Sequence, residues 1–130
     1  MPLVRDHMSR SLLAVEPKIP VTEVAQRMVE RNVGAVLVLD DRGRLTGIMT
    51  ERDLMRAVGR GLHEQAVVAD CMTSDPETVE ADATTSHAAV LMIHGGFRHL
   101  PVVEGEDVVG MLSIRDLVRI VLEDSAPRGA

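Results

Sequence analysis

Gly47-Ile48-Met49-Thr50-Glu51-Arg52-Asp53 reads as the end of a strand that stops at a hydroxyl residue and turns straight into a helix. The same pattern returns as Gly110-Met111-Leu112-Ser113-Ile114-Arg115-Asp116. Each stretch places a carboxylate three residues after the hydroxyl, in the first turn of the helix. One reading is a capping box, in which Thr50 or Ser113 caps the helix and the carboxylate bonds back. In the other, the carboxylate accepts hydrogen bonds from two vicinal hydroxyls of a sugar, and the free N–H groups at the helix start suit a phosphate. The residues alone leave both open.

Working outward from these stretches, the whole chain is one unit written twice. A shift of 64 positions pairs Val4-Arg5-Asp6-His7-Met8-Ser9 with Val68-Ala69-Asp70-Cys71-Met72-Thr73, Met28 with Met92 and Val38 with Val102. Beyond residue 40 the shift is 63, and it pairs Arg52-Asp53-Leu54 with Arg115-Asp116-Leu117. The lost residue falls between Asp40–Arg44 and Glu104–Asp107, where two hairpin tips absorb it cheaply. Each copy predicts strand–helix–strand–strand–helix. Pro20–Asn32 and Thr84–His94 carry apolar residues at helical spacing, with Thr22 and Asp82 as expected N-caps. Ala35–Leu39 and His99–Val103 read as buried strands, Leu45–Thr50 and Val108–Ser113 as their partners. Helices follow from Glu51 to about Gly59 and from Ile114 to about Glu123. One copy of roughly 60 residues is marginal for a private core. The expectation is therefore an α/β (α+β) fold of two pseudo-twofold-related repeats, 2–62 and 66–123, packed sheet against sheet, with a disordered tail at 124–130.

Composition narrows the function. The chain has 130 residues, 45% hydrophobic and 26% charged, with a net charge of −6. That charge argues against a surface that binds a phosphate backbone. Phe97 is the sole aromatic, which excludes a base-stacking nucleic-acid surface. Cys71 is the sole cysteine, so neither an intramolecular disulfide nor a cysteine-based zinc site can form. His7, His63, His87 and His94 show no ligand spacing, and no metal is expected. No apolar run reaches the roughly 18–20 residues of a membrane span, and Met1–His7 lacks a leader pattern. No nucleic acid, no membrane and a cytoplasmic location are the expectations.

The Asp-x-Met-Ser/Thr starts, the Leu100-Pro101-Val102-Val103 strand and the two Gly-x-x-Thr/Ser-x-x-Asp segments, in this order and duplicated, resemble a tandem pair of cystathionine-β-synthase (CBS) domains, a Bateman module of stand-alone type. The resemblance covers residues 2–123. It implies a regulatory sensor of adenosine-containing ligands, with AMP, ADP, ATP or S-adenosylmethionine in clefts between the repeats and no required cofactor. By position, it implies Asp53 with Thr50, and Asp116 with Ser113, at the ribose. It lines the first cleft further with Thr73, Glu77 and Phe97, and the second with Ser9, Leu13 and Val33. Arg52 and Arg115 flank the aspartates and are counted with their clefts.

The two clefts are expected to differ. Before the central strand the second copy reads Phe97-Arg98-His99, while the first reads Val33-Gly34-Ala35. In the family, basic residues here reach phosphates, so Arg98 and His99 are assigned to the Asp53 cleft. Arg98 offers forked bonds to phosphate oxygens, and His99 a switchable donor. Gly34 offers the Asp116 cleft no charge, which suits a weaker or different ligand.

Enzyme motifs are missing: there is no Gly-x-Ser-x-Gly elbow and no phosphate loop ending in Gly-Lys-Ser/Thr. No catalytic residue is assigned. The competing expectation is a dimerisation or partner-binding scaffold without a physiological nucleotide. Leu117–Leu122 and Leu54–Val58 are apolar on more than one helical face, which marks an interface. The resemblance implies a homodimer through these helices and a separate effector protein.

Overall fold

The computed structural model describes residues 1–125, so the last five residues of the expected tail lie outside the described residues. In chain order the elements are α1 (Val4–His7), β1 (Ala14–Val15), α2 (Val21–Arg31), β2 (Ala35–Leu39), β3 (Leu45–Thr50), α3 (Glu51–Gly59), α4 (Val68–Cys71), β4 (Thr73–Ser74), β5 (Val79–Glu80), α5 (Thr85–Gly95), β6 (His99–Glu104), β7 (Asp107–Ser113) and α6 (Ile114–Ser125). The described residues thus form a mixed α/β fold with two sheets and six helices.

The chain divides into two compact units, and their boundaries are not those of the duplication. Leu12–Pro76 forms one unit; Met1–Ser11 joins the chain from Glu77 onward in the other. The opening segment of each copy therefore packs into the unit built mostly from the other copy. Its apolar anchor decides this. Val4 is fully buried in a core with Val79, Ala88, Met92, Leu100 and Leu112. Val68, its counterpart, is fully buried with Val24, Met28, Val36, Val38 and Met49. Backbone bonds complete each attachment: Val4 N–H to Ala83 O (2.9 Å) and Arg5 N–H to Ala81 O (2.9 Å), against Val68 N–H to Ile19 O (2.9 Å) and Ala69 N–H to Pro17 O (3.0 Å).

In the Leu12–Pro76 unit the sheet order is β1-β2-β3-β4. β1 is parallel to β2, while β2 and β3 form an antiparallel hairpin with Ala35 opposite Thr50. β4 pairs antiparallel with β3 and sets Gly47 opposite Ser74. Val36, Leu37 and Val38 are all buried, so this run is apolar without alternation. In the second unit the order is β5-β6-β7, and Ser9 bridges to Met111 where β4 stands in the first.

The hairpins differ in length as expected. β6 and β7 are joined through Gly105 (φ 63°) and Glu106, a two-residue loop needing positive φ at its first position. β2 and β3 are joined by a longer turn, in which the Asp40 carboxylate accepts the N–H groups of Arg44 and Arg42, both at 2.9 Å. Those bonds, Arg44's first, hold the Asp40 pKa below the ordinary carboxylate value.

Two caps differ from expectation. Pro20 is the N-cap of α2, with no side-chain cap, so Thr22 lies inside the first turn. Thr84, rather than Asp82, caps α5 by accepting the His87 N–H. α2 starts two residues earlier than Thr22 suggests and α5 two residues later than Asp82 suggests, because contacts from distant chain hold each start: Ala66 O accepts the Val21 N–H, and Pro2 O the Thr85 N–H. At its other end α5 closes on Gly96 in the left-handed region (φ 72°).

Candidate functional site

The hydroxyl–carboxylate stretches fold the same way in both units. Asp53 Oδ2 accepts from the Thr50 N–H at 2.9 Å and from Thr50 Oγ1 at 3.1 Å. Thr50 Oγ1 in turn accepts the Asp53 N–H at 3.2 Å. Asp116 Oδ2 accepts from the Ser113 N–H at 2.8 Å and Ser113 Oγ at 3.0 Å, and Ser113 Oγ accepts the Asp116 N–H at 3.2 Å. The capping box is therefore formed twice. It leaves each carboxylate's second oxygen uncommitted to the cap, and there the two units diverge.

Asp53 Oδ1 accepts from Thr73 Oγ1 at 3.1 Å, a bond from β4, which the Val68 anchor brings beside β3. Asp116 Oδ1 instead lies 3.9 Å from Nη1 of Arg119 on its own helix, an exposed pairing of little energetic weight. Asp53 is the more buried, at 8% exposure. A carboxylate has about four acceptor positions. Three are filled at Asp53, and the remaining one on Oδ1 can take a hydroxyl from outside. Replacing Thr73 with valine removes one charge-assisted bond at an exposed residue. It is expected to lower stability by about 1 kcal/mol in chemical denaturation.

Asp53 and Thr73 line a groove that lies wholly within the Leu12–Pro76 unit and encloses about 740 Å³. That is the size range of small-molecule sites, roughly 300–1,000 Å³. Arg56 of α3, Arg60 at its C-cap, His63 beyond its end, and Asp70 and Cys71 of α4 continue the lining. Burial first, then the nearby carboxylates of Asp70 and Asp53, push the Cys71 thiol pKa up. The thiol is therefore protonated and inert at neutral pH.

The remaining predicted site residues fall as follows. Arg52 is exposed at the start of α3, and Gly34 accepts the Glu51 N–H at 3.0 Å just before β2. Arg98 is Gly34's counterpart, its carbonyl accepting the Ile114 N–H at 2.9 Å. A Cβ on Gly34 would come within 2.7 Å of Glu51 Oε1, so a carboxylate lies over the glycine where the other unit carries an exposed arginine. The aligned strand starts thus differ in sign, and Glu51 is a contributor that motif reading missed. His99 is half-buried on β6 opposite Ser113. Phe97 is half-buried and packs on its unit's core, its ring so close over Gly95 that a Cβ there would overlap it. Leu13 is buried in the core of the Leu12–Pro76 unit, and Val33 packs against that core. Ser9 exchanges backbone bonds with Met111 (2.9 and 3.0 Å), while Glu77 and Arg115 are exposed. Arg56, Arg60 and His63 were missed too. Arg56 and Arg60 follow Asp53 by three and seven residues, a spacing that marks one helical face. Among the described residues no group of three or more His, Cys, Asp or Glu could hold a metal ion, and no helix is long and apolar enough to cross a membrane.

The hydroxyl–carboxylate turn is thus built twice, once in each unit of a tandem repeat. The CBS domain pattern matches residues 4–60 and 68–123, and the chain belongs to the CBS domain family. It is similar to an uncharacterized 17.7 kDa protein of Acidianus ambivalens, 36% identical over 84% of this chain and 66% of that protein. It is also similar to the meiotically up-regulated gene 70 protein of Schizosaccharomyces pombe, 39% identical over 82% of this chain and 16% of that one. The chain thus spans two thirds or less of these relatives. Among solved structures, it resembles the CBS domain pair of protein MJ0100 in complex with 5′-methylthioadenosine and S-adenosyl-L-methionine (TM-score 0.89, 25% identity, 95% of this chain and 98% of that one). It also resembles CBSX2 in complex with AMP (TM-score 0.85, 28% identity, 97% and 100%). CBS-pair proteins are generally regulatory, non-catalytic modules.

Proposed function

We propose that the protein is a regulatory sensor of adenosine-containing ligands, with Asp53 as the ribose acceptor. The observation that carries this reading is the buried Asp53 carboxylate, held by Thr50 and Thr73 at the wall of a 740 Å³ groove with one acceptor position left over. The ligands of the similar structures, AMP, S-adenosylmethionine and 5′-methylthioadenosine, support the class. Ligand acts by stabilising whichever arrangement of the module it binds better, and a partner or second copy reads the population. AMP, ADP or ATP is the favoured ligand, and the assignment of Arg98 and His99 to its phosphates is testable in the same assay.

A scaffold role has its own support. Met55 and Val58 on α3, and Val118, Val121 and Leu122 on α6, are exposed, while Leu117 and Ile120 of α6 are buried. That surplus apolar surface favours a homodimer formed through these helices. Thermal denaturation with AMP, ADP, ATP, S-adenosylmethionine and 5′-methylthioadenosine separates the readings. Ligand at about 100 times its dissociation constant adds roughly 2.7 kcal/mol. No shift with any of them at millimolar concentration leaves the scaffold.

A further inference from the structure

We infer that the groove of the Leu12–Pro76 unit is bipolar and takes a polyphosphate chain at the end away from Asp53, against Arg56, Arg60 and His63. The choice of nucleoside di- or triphosphate rests on the Asp53 reading above; the polyanion site does not. Asp53 and Arg56 on α3, and Arg60 at its C-cap, stand at positions i, i+3 and i+7, along one face of the helix. At 1.5 Å per residue, Arg56 stands about 4.5 Å and Arg60 about 10 Å along the axis from Asp53. All three line the same groove. Among the described residues neither guanidinium makes an ion pair, and both are exposed, so neither charge is spent on the fold.

His63 supplies the third donor. Its Nδ1 accepts the Gln65 N–H at 3.1 Å, which fixes the neutral ring as the Nε2–H form. The chain reaches it by turning at Gly61, whose φ of 83° favours glycine and brings residues 62–66 back along α3. The lining carboxylates are already engaged, Asp53 by Thr50 and Thr73 and Asp70 by the Val67 N–H at 3.0 Å. Three features oppose an anion here: the Asp53 and Asp70 charges, and the carbonyl end of α3 with its partial negative charge. Of the groove's own arginines, a single phosphate close to Asp53 meets only Arg56. A longer chain also engages Arg60, which stands at the C-cap and offsets the carbonyl end. Forked guanidinium–phosphate bonds are the strong kind. The groove therefore ranks ligands by phosphate count, and a neutral or sulfonium-bearing adenosyl compound gains nothing at this end.

The test is titration calorimetry of the full chain with ATP, ADP, AMP, adenosine and inorganic tripolyphosphate, comparing wild type, an Arg56→Gln/Arg60→Gln double variant and an Arg31→Gln control. Both arginines are exposed, so the double variant folds, and its unliganded melting curve confirms it. Affinity is expected to fall from ATP to adenosine in wild type and Arg31→Gln. In the double variant ATP and tripolyphosphate each lose about tenfold or more, while adenosine changes less than twofold. Equal tripolyphosphate affinity in wild type and double variant overturns the inference whatever adenosine does. If no adenosine compound binds but tripolyphosphate still distinguishes the variants, the ribose reading fails and the polyanion site stands.

Discussion

Asp53→Ala is expected to lose the whole ligand-dependent stabilisation and to melt lower even without ligand. The ligand term is the larger. Roughly 2.7 kcal/mol at 100 times the dissociation constant disappears when the acceptor for the ribose is removed. The intrinsic term comes from the cap. Alanine strips the acceptor from the Thr50 N–H, Thr50 Oγ1 and Thr73 Oγ1, which now donate to Asp53 at 2.9, 3.1 and 3.1 Å. Thr73 is exposed and recovers a water, while Thr50 is half-buried and recovers less. A cap of this kind with one further charge-assisted bond is worth about 2 kcal/mol. That is about 8 °C in the melting temperature for a domain of this size.

Asp53→Asn separates the two terms. The amide oxygen still accepts the Thr50 N–H, so the unliganded protein stays within about 1 kcal/mol of wild type. The amide nitrogen replaces the oxygen whose free position would receive the ribose hydroxyl, so the ligand shift is still lost. Should both variants keep the full shift with AMP or ATP, Asp53 is a cap and nothing more. Asp116→Ala is the internal comparison: it carries the same box, but beside its second oxygen stands Arg119, at 3.9 Å, where Asp53 has Thr73.

The duplication and the strand-to-helix turns were legible because they depend on local spacing. Buried strands such as Ala35–Leu39 announce themselves as apolar runs, and Thr50 with Asp53 as a three-residue interval. What escaped was set by long-range packing. Four-residue helices at Val4–His7 and Val68–Cys71 and the two-residue β4 are too short to show a period. They exist because Val4 and Val68 are buried in cores assembled from distant chain. Thr22 and Asp82 looked like caps because capping preference is local. The helix starts were decided by Ala66 and Pro2, far off in sequence. The resemblance assigned Thr73 to the Asp53 cleft and Ser9 to the Asp116 cleft; in the structure Thr73 Oγ1 donates to Asp53 Oδ1, and Ser9 exchanges backbone bonds with Met111. The arginine face of α3 was overlooked for a different reason: an exposed i, i+4 pair of cations is ordinary, and only the groove gives Arg56 and Arg60 something to face.

Gly47→Ala is expected to cost about 3 kcal/mol, at the upper end for overpacking, and the structure says why this position opens the motif. Gly47 is buried where β4 crosses beside β3, with Ser74 opposite it. A Cβ would stand 2.4 Å from Met72 Sδ, 3.0 Å from Met72 Cγ and 2.9 Å from the Thr73 carbonyl oxygen. The thioether can swing aside at small cost. The carbonyl cannot, because it belongs to the backbone of the paired strand. Relief requires β4 to move out, and Thr73 Oγ1 is then drawn off Asp53 Oδ1. The variant should therefore lose ligand affinity together with stability, although Gly47 makes no contact with the proposed ligand. Gly110→Ala should behave alike in stability, since its Cβ would meet Met8 Sδ at 2.4 Å and the Ser9 carbonyl oxygen at 3.0 Å. Adding Met72→Ala to Gly47→Ala removes the thioether clash but leaves the carbonyl. The double variant should stay about 2 kcal/mol less stable than Met72→Ala alone in urea unfolding. A Gly47→Ala protein within about 0.5 kcal/mol of wild type would mean that β4 yields freely. The motif glycine would then have no part in holding Thr73 against Asp53.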